Sequence, residues 1–144
     1  DRPNSPSSYL MLGRITPLTG RTAGMEPVEL ANEVLGDGFL SRLNADLREA
    51  KGWTYGVRSS LGGVRGQRAL SIATQVQADR TGDSIKAFQT DLTEFLGDKG
   101  VTKEELERTV NGSVRELPCS FETSGDVLGG MRQIVKFGRP DNYY

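Results

Sequence analysis

The 144-residue sequence contains no histidine. A catalytic zinc takes most of its ligands from imidazole, and most serine and cysteine nucleophiles rely on an imidazole base. None of those mechanisms can be complete within this chain. Cysteine is nearly as scarce: Cys119 stands alone, which excludes an intrachain disulfide and a multi-cysteine metal knuckle. One thiol says little about the redox compartment, and it reads as a small, semi-buried side chain rather than a nucleophile. An excess of charge is missing too. The 18 Lys and Arg against 19 Asp and Glu leave a formal charge of −1, so no strong field draws the chain to nucleic acid or to an anionic membrane. The apolar runs all fall short of the roughly 18 residues that a bilayer span needs. The N-terminus lacks the basic-then-apolar layout of a secretory signal, and no compartment follows from that.

What is present fits one domain, since a chain of this length can bury roughly two thirds of its unfolded surface. The opening Asp1-Arg2-Pro3-Asn4-Ser5-Pro6-Ser7-Ser8 reads as a linker, which leaves residues 9–144 as the domain. Because it starts in a linker and stops at Asn142-Tyr143-Tyr144, the chain reads as part of a longer protein. Tyr9 to Ile15 is apolar on both parities except at Gly13 and Arg14, which suits a strand. Pro17, Gly20 and Gly24 mark a loop. Glu26-Pro27 then opens a helix with proline in its first turn, and Val28, Ala31, Val34 and Leu35 form its apolar stripe.

A second helical pattern carries Leu40, Leu43, Leu47 and Ala50 before Gly52. From Trp53 the period drops to two: Tyr55, Val57, Ser59 and Leu61 share one parity. After Gly62-Gly63 and Gly66, Leu70, Ile72, Thr74 and Val76 alternate in the same way, and the two runs are predicted to pair as an antiparallel hairpin. Two more helices follow, one with Ile85, Phe88, Leu92 and Phe95, the other with Leu106, Val110, Val114 and Leu117. The latter begins with the capping-box pattern Thr102-Lys103-Glu104-Glu105, and Pro118 bars its continuation. A last helix is expected from about Thr123 to Phe137. The pattern as a whole predicts an α+β domain of two layers, a mainly antiparallel sheet with helices packed on one face.

Two features invite functional readings that the spacing does not support. Gly36-Asp37-Gly38 lacks the preceding strand and third glycine of a dinucleotide fingerprint and reads as a helix-ending turn. Arg58, Arg65 and Arg68 read as solvated hairpin charge.

The stretch Leu35-Gly36-Asp37-Gly38-Phe39-Leu40-Ser41-Arg42-Leu43, continuing through Leu47-Arg48-Glu49 and Gly52 to Tyr55, carries a resemblance. It is similar to the segment L-G-G-x-x-x-S-R-L … L-R-E-x-x-G-x-x-Y of the C-terminal, zinc-free domains of pitrilysin/insulinase-type metallopeptidases, a group that includes proteins like the mitochondrial processing peptidases. The likeness continues more weakly through the hairpin and the two helices after it, and Asp1-x-Pro3 fits the family's start of the domain. Asp37 replaces a common glycine and Trp53 a common aliphatic residue.

The resemblance implies a sheet with helices on one side, in agreement with the residue pattern. It also implies pairing with a zinc-bearing domain that carries H-x-x-E-H, on the same polypeptide or on a separate subunit. No cofactor belongs to this chain on that reading, the zinc being on the partner domain. Arg48 and Tyr55 fall where family members place an arginine and a tyrosine that reach toward substrate, so the resemblance makes them the candidate site residues. The chemistry suits the role, because a guanidinium and a phenol O–H can each donate to the oxygen of a peptide carbonyl under attack. The function implied is the non-catalytic half of a zinc metalloendopeptidase acting on peptides or unfolded segments, inactive alone. The alternative is a structural subunit of the same fold, like the core proteins of respiratory complexes.

Overall fold

In the computed structural model, which describes residues 3–144, three strands form one antiparallel sheet. The first, β1 (Ser7–Thr19), pairs with β3 (Gln67–Gln77), and β3 pairs on its other side with β2 (Thr54–Leu61). The hairpin is as the alternation predicts, and its second strand lies at the centre of the sheet. Ser7 and Ser8, read as linker, already belong to β1, while Asp1 and Arg2 lie outside the described residues. The strand also runs past Ile15 through Pro17. A proline is tolerated there because β1 is an edge strand and its register shifts between Ile15 and Thr19.

The helices cover one face of the sheet. Helix α1 (Glu26–Asn32) continues into a π-helical turn at Glu33–Asp37, and α2 (Asn44–Ala50) is wound as a π-helix throughout. Then come α3 (Thr81–Leu96), α4 (Lys103–Glu116) and α5 (Ser124–Phe137). The core joins Leu35 of the π turn, Leu43 and Leu47 around α2, Val57 and Ile72 of the hairpin, and Phe88 of α3, with Leu10 and Leu12 of β1 packed against them. Leu43, Leu47 and Phe88 are fully buried, and each contributes roughly 2–3 kcal/mol in transfer from water. The opposite parity of β1 leaves Tyr9, Met11 and Ile15 exposed, so the second face of the sheet is bare.

Gly36 does more than end a helix. A Cβ on it would stand 2.8 Å from Ser59 Oγ and 2.9 Å from a Leu43 methyl, so glycine is what lets the π turn lie directly against β2. The next contact is ionic. Arg42 donates from Nε and Nη2 to the Glu105 carboxylate at 2.7 and 2.6 Å and from Nη2 to the Gly100 carbonyl at 2.8 Å, which ties the start of α2 to the start of α4. That guanidinium holds the Glu105 carboxyl down to about 2. The Thr102–Glu105 capping box forms as its sequence predicts, and Thr123 and Asp126 form a second one at α5.

Several expectations need correction. Leu40, counted in the second helical pattern, lies in a turn before α2 and is exposed, and so are Leu106, Val110 and Val114 of α4 and Leu117 at its end. Val110, Val114 and Leu117 line an open recess whose facing wall is α1 and the π turn. Arg68 is 4 % exposed rather than solvated, because it pairs with Glu29 at 3.2 Å and its guanidinium lies 5.4 Å from the Phe137 ring centre. Arg58 is solvated as expected, and Cys119 is exposed rather than semi-buried. No helix among the described residues is long and apolar enough to cross a membrane.

Candidate functional site

The site is built by a chain reversal between α2 and β2. Arg48 lies in the last turn of α2. Gly52, at φ 65°, then takes the left-handed conformation that favours glycine. The reversal is held by Gly52 N–H donating to the Arg48 carbonyl at 3.2 Å and Trp53 N–H donating to the Leu47 carbonyl at 2.9 Å. This resembles a Schellman closure widened by one residue, as the π winding requires. Two residues later the chain enters the sheet.

Tyr55 does not follow the parity that its neighbours predict. Thr54 pairs with Val76 and Val57 with Thr74, so Tyr55 and Gly56 together face the single residue Gln75. That extra residue is a β-bulge. It breaks the alternation that would have put Tyr55 on the buried side with Val57 and Ser59, and instead the tyrosine stands fully in solvent (101 % exposed). The backbone groups of Gly56 are satisfied locally. Gly56 N–H donates to Thr54 Oγ1 at 3.1 Å, and Thr74 Oγ1 donates to the Gly56 carbonyl at 2.8 Å. Among the described residues the Tyr55 hydroxyl makes no hydrogen bond, so its donor is free.

Arg48 and Tyr55 line the same recess, about 300 Å³ in volume, with Phe39, Asp37, Asn44 and Arg58 around them. The Arg48 guanidinium lies 4.3 Å from the centre of the Phe39 ring, a cation–π contact that holds the side chain while leaving its N–H edges available. Its Nε is 3.3 Å from the neighbouring Glu49 carboxylate, which is mostly exposed. Arg58, 3.9 Å from Asp37, adds a second cation to the wall. On the other side of Tyr55 lies a larger recess of about 620 Å³ whose lining, including Trp53, Thr54, Gln75 and Gln77, carries no charge. The tyrosine therefore stands between a cationic hollow and a neutral one.

The structure thus brings together the two residues singled out from the sequence. Sequence reasoning missed Phe39, the platform beneath Arg48, and Asn44, whose polar atoms meet β2. An aromatic residue nine positions before an arginine gives no periodic signal, and an asparagine in a helical stretch reads as a surface residue.

The residues present do not suit a zinc ion. Imidazole is absent from the sequence, the one thiol is exposed, and no three Asp, Glu or Cys side chains among the described residues gather as a metal-binding group.

Solved structures share this architecture. The peptidase M16 inactive domain from Pseudomonas fluorescens superposes with a TM-score of 0.83 at 29 % identity, covering 96 % of this chain and 33 % of that one. A protease from Helicobacter pylori gives a TM-score of 0.82 at 16 % identity over 95 % of this chain and 33 % of its own. The periplasmic protease PqqL from Escherichia coli gives 0.74 at 15 % identity over 95 % of this chain and 15 % of its own. At those lower identities the likeness is one of fold. The chain spans a third or less of the length of each of these three structures. Among curated proteins none matches the sequence. The family model described as the peptidase M16 inactive domain matches residues 1–113. The chain therefore belongs to the family of M16 peptidase inactive domains.

Proposed function

We propose that this domain supplies substrate-binding and oxyanion contacts, through Arg48 and Tyr55, to a peptidase active site whose zinc lies on a partner domain. It forms part of the wall of the substrate chamber, and the substrates are peptides or unfolded segments. The observation that carries the reading is the recess shared by Arg48 and Tyr55, in which a tyrosine hydroxyl stands free in solvent on a bulge. A tyrosine that only packed would be covered.

The chemistry requires two donors at an oxygen that gains charge. When water attacks a peptide carbonyl its oxygen becomes negative, and preorganised O–H and N–H donors lower that barrier by several kcal/mol. The Tyr55 hydroxyl is suited to that oxygen. Arg48, braced by Phe39, is suited to hold the peptide backbone or to share the charge. The partner domain supplies the zinc and the activation of water. Alone, the domain hydrolyses nothing, because its donors stabilise a transition state that does not form without that water.

The alternative, a structural subunit, requires neither a free phenol nor a braced arginine. The test is the double variant Arg48→Ala, Tyr55→Phe in the peptidase assembled from this domain and its zinc-bearing partner. A loss of kcat/KM of two orders of magnitude or so is expected. Full activity would remove the site and favour the structural subunit.

A further inference from the structure

We infer that Asn44 is a positioning residue that fixes Tyr55 relative to Arg48 by clamping β2 just beyond the bulge, an inference that rests on the reading of Arg48 and Tyr55 above. Asn44 opens α2, four residues before Arg48, and is 6 % exposed. Its Oδ1 accepts the Val57 N–H at 2.8 Å and its Nδ2 donates to the Val57 carbonyl at 3.1 Å. One side-chain amide thus meets both backbone groups of Val57, as a neighbouring strand would. The same Nδ2 lies 3.2 Å from the Gly38 carbonyl and 3.0 Å from Ser41 Oγ, on the connection that carries Phe39. One amide therefore links the strand bearing Tyr55, the segment bearing the Phe39 platform and the helix bearing Arg48.

A bulge needs such a clamp. With two residues facing one, the pairing can shift by a residue, and such a slip turns every side chain on the strand to the other face. Tyr55 sits in the unpaired stretch between Thr54, whose hydroxyl is 2.7 Å from that of Thr74, and Val57, held by Asn44. The threonines fix the strand before the tyrosine and Asn44 fixes it after. A leucine in place of Asn44 could fill the space and would leave the Val57 N–H and carbonyl without these partners.

The experiment compares Asn44 variants in two backgrounds of the assembled peptidase, wild type and Tyr55→Phe. Asn44→Ala is expected to lower kcat by about tenfold or more with KM changed less than about twofold, because it misplaces a group used in the transition state. In the Tyr55→Phe background the same change should lower kcat less than about twofold, since no hydroxyl remains to be misplaced. Equal losses in the two backgrounds would overturn the inference and leave Asn44 a purely structural residue. Full kcat in Tyr55→Phe itself would overturn the reading of the site together with the inference, so the two failures are distinct. Asn44→Asp, equal in size, keeps the acceptor for Val57 N–H and loses the donor to its carbonyl. It serves where Asn44→Ala does not fold, with the same background dependence expected. Amide exchange of a fragment covering residues 54–61 should be faster in Asn44→Ala, where the Val57 N–H loses its acceptor, while that of β3 is unchanged, and unchanged exchange in both would also overturn the inference.

Discussion

Replacing Gly52 isolates the backbone term that turns α2 into β2. The residue sits at φ 65°, and a Cβ built there would meet nothing within 4 Å, so a side chain costs only what the left-handed conformation costs. That is about 1–2 kcal/mol for an ordinary L residue, more for a β-branched one, and less for asparagine. Gly52→Asn should therefore lose less than about 1 kcal/mol, Gly52→Ala about 1, and Gly52→Val about 2 or more. At roughly 3 °C per kcal/mol for a domain of this size, melting should fall by about 3 °C for alanine and 6 °C or more for valine. Arg48→Ala is the control. Its guanidinium lies against Phe39 and beside an exposed Glu49, contacts worth less than about 1 kcal/mol together. Thermal melts of the four variants decide the matter. Equal losses for asparagine and valine would show that φ is not what Gly52 supplies, and a larger loss in Arg48→Ala than in Gly52→Val would make Arg48 structural.

Two further outcomes follow from half-buried carboxylates. Burial, with Asp46 opposite, pushes the Asp91 carboxyl up to about 6, so between pH 4 and 6 the folded chain holds a proton that the unfolded chain releases. The penalty is absent below about pH 4 and complete above about pH 6. Asp91→Asn should leave the melting temperature unchanged at pH 4 and raise it at pH 7.5, by an amount of the order of 1 kcal/mol after solvent screening; a loss of stability at pH 7.5 would contradict this. Glu105 runs the other way: with its carboxyl held down to about 2, its contribution is present above about pH 4.5 and lost as pH falls toward 2. Arg42→Ala should cost about 2–3 kcal/mol in urea unfolding at pH 7 and flatten the acid dependence between pH 4.5 and 2, whereas an unchanged acid slope would detach Glu105 from Arg42.

The sheet, the hairpin and the capped start of α4 were legible because each leaves a local mark. Alternation marks β2 and β3, and the four residues from Thr102 to Glu105 mark a helix start, whereas the cap from Thr123 to Asp126 emerged from the structure. The π winding of α2 left none, since apolar spacings of three and four suit either helix. The bulge was illegible for a different reason. Parity in Tyr55, Val57, Ser59 and Leu61 is unbroken, and only pairing with β3 shows that Tyr55 and Gly56 share one partner. The positions of Arg48 and Tyr55 came from motif likeness, and the free hydroxyl came from the fold. The exposed stripe of α4 shows the limit of periodicity, which marks an apolar face without naming what covers it.

The most direct measurement deletes one oxygen. In the peptidase assembled with its zinc-bearing partner, Tyr55→Phe removes a hydroxyl that makes no hydrogen bond among the described residues, on a side chain wholly in solvent, so the melting temperature should be unchanged. If that hydroxyl donates to the oxyanion, kcat should fall by roughly 10²- to 10³-fold while KM changes little. An unchanged kcat at an unchanged melting temperature would contradict the assignment of Tyr55 to the active site.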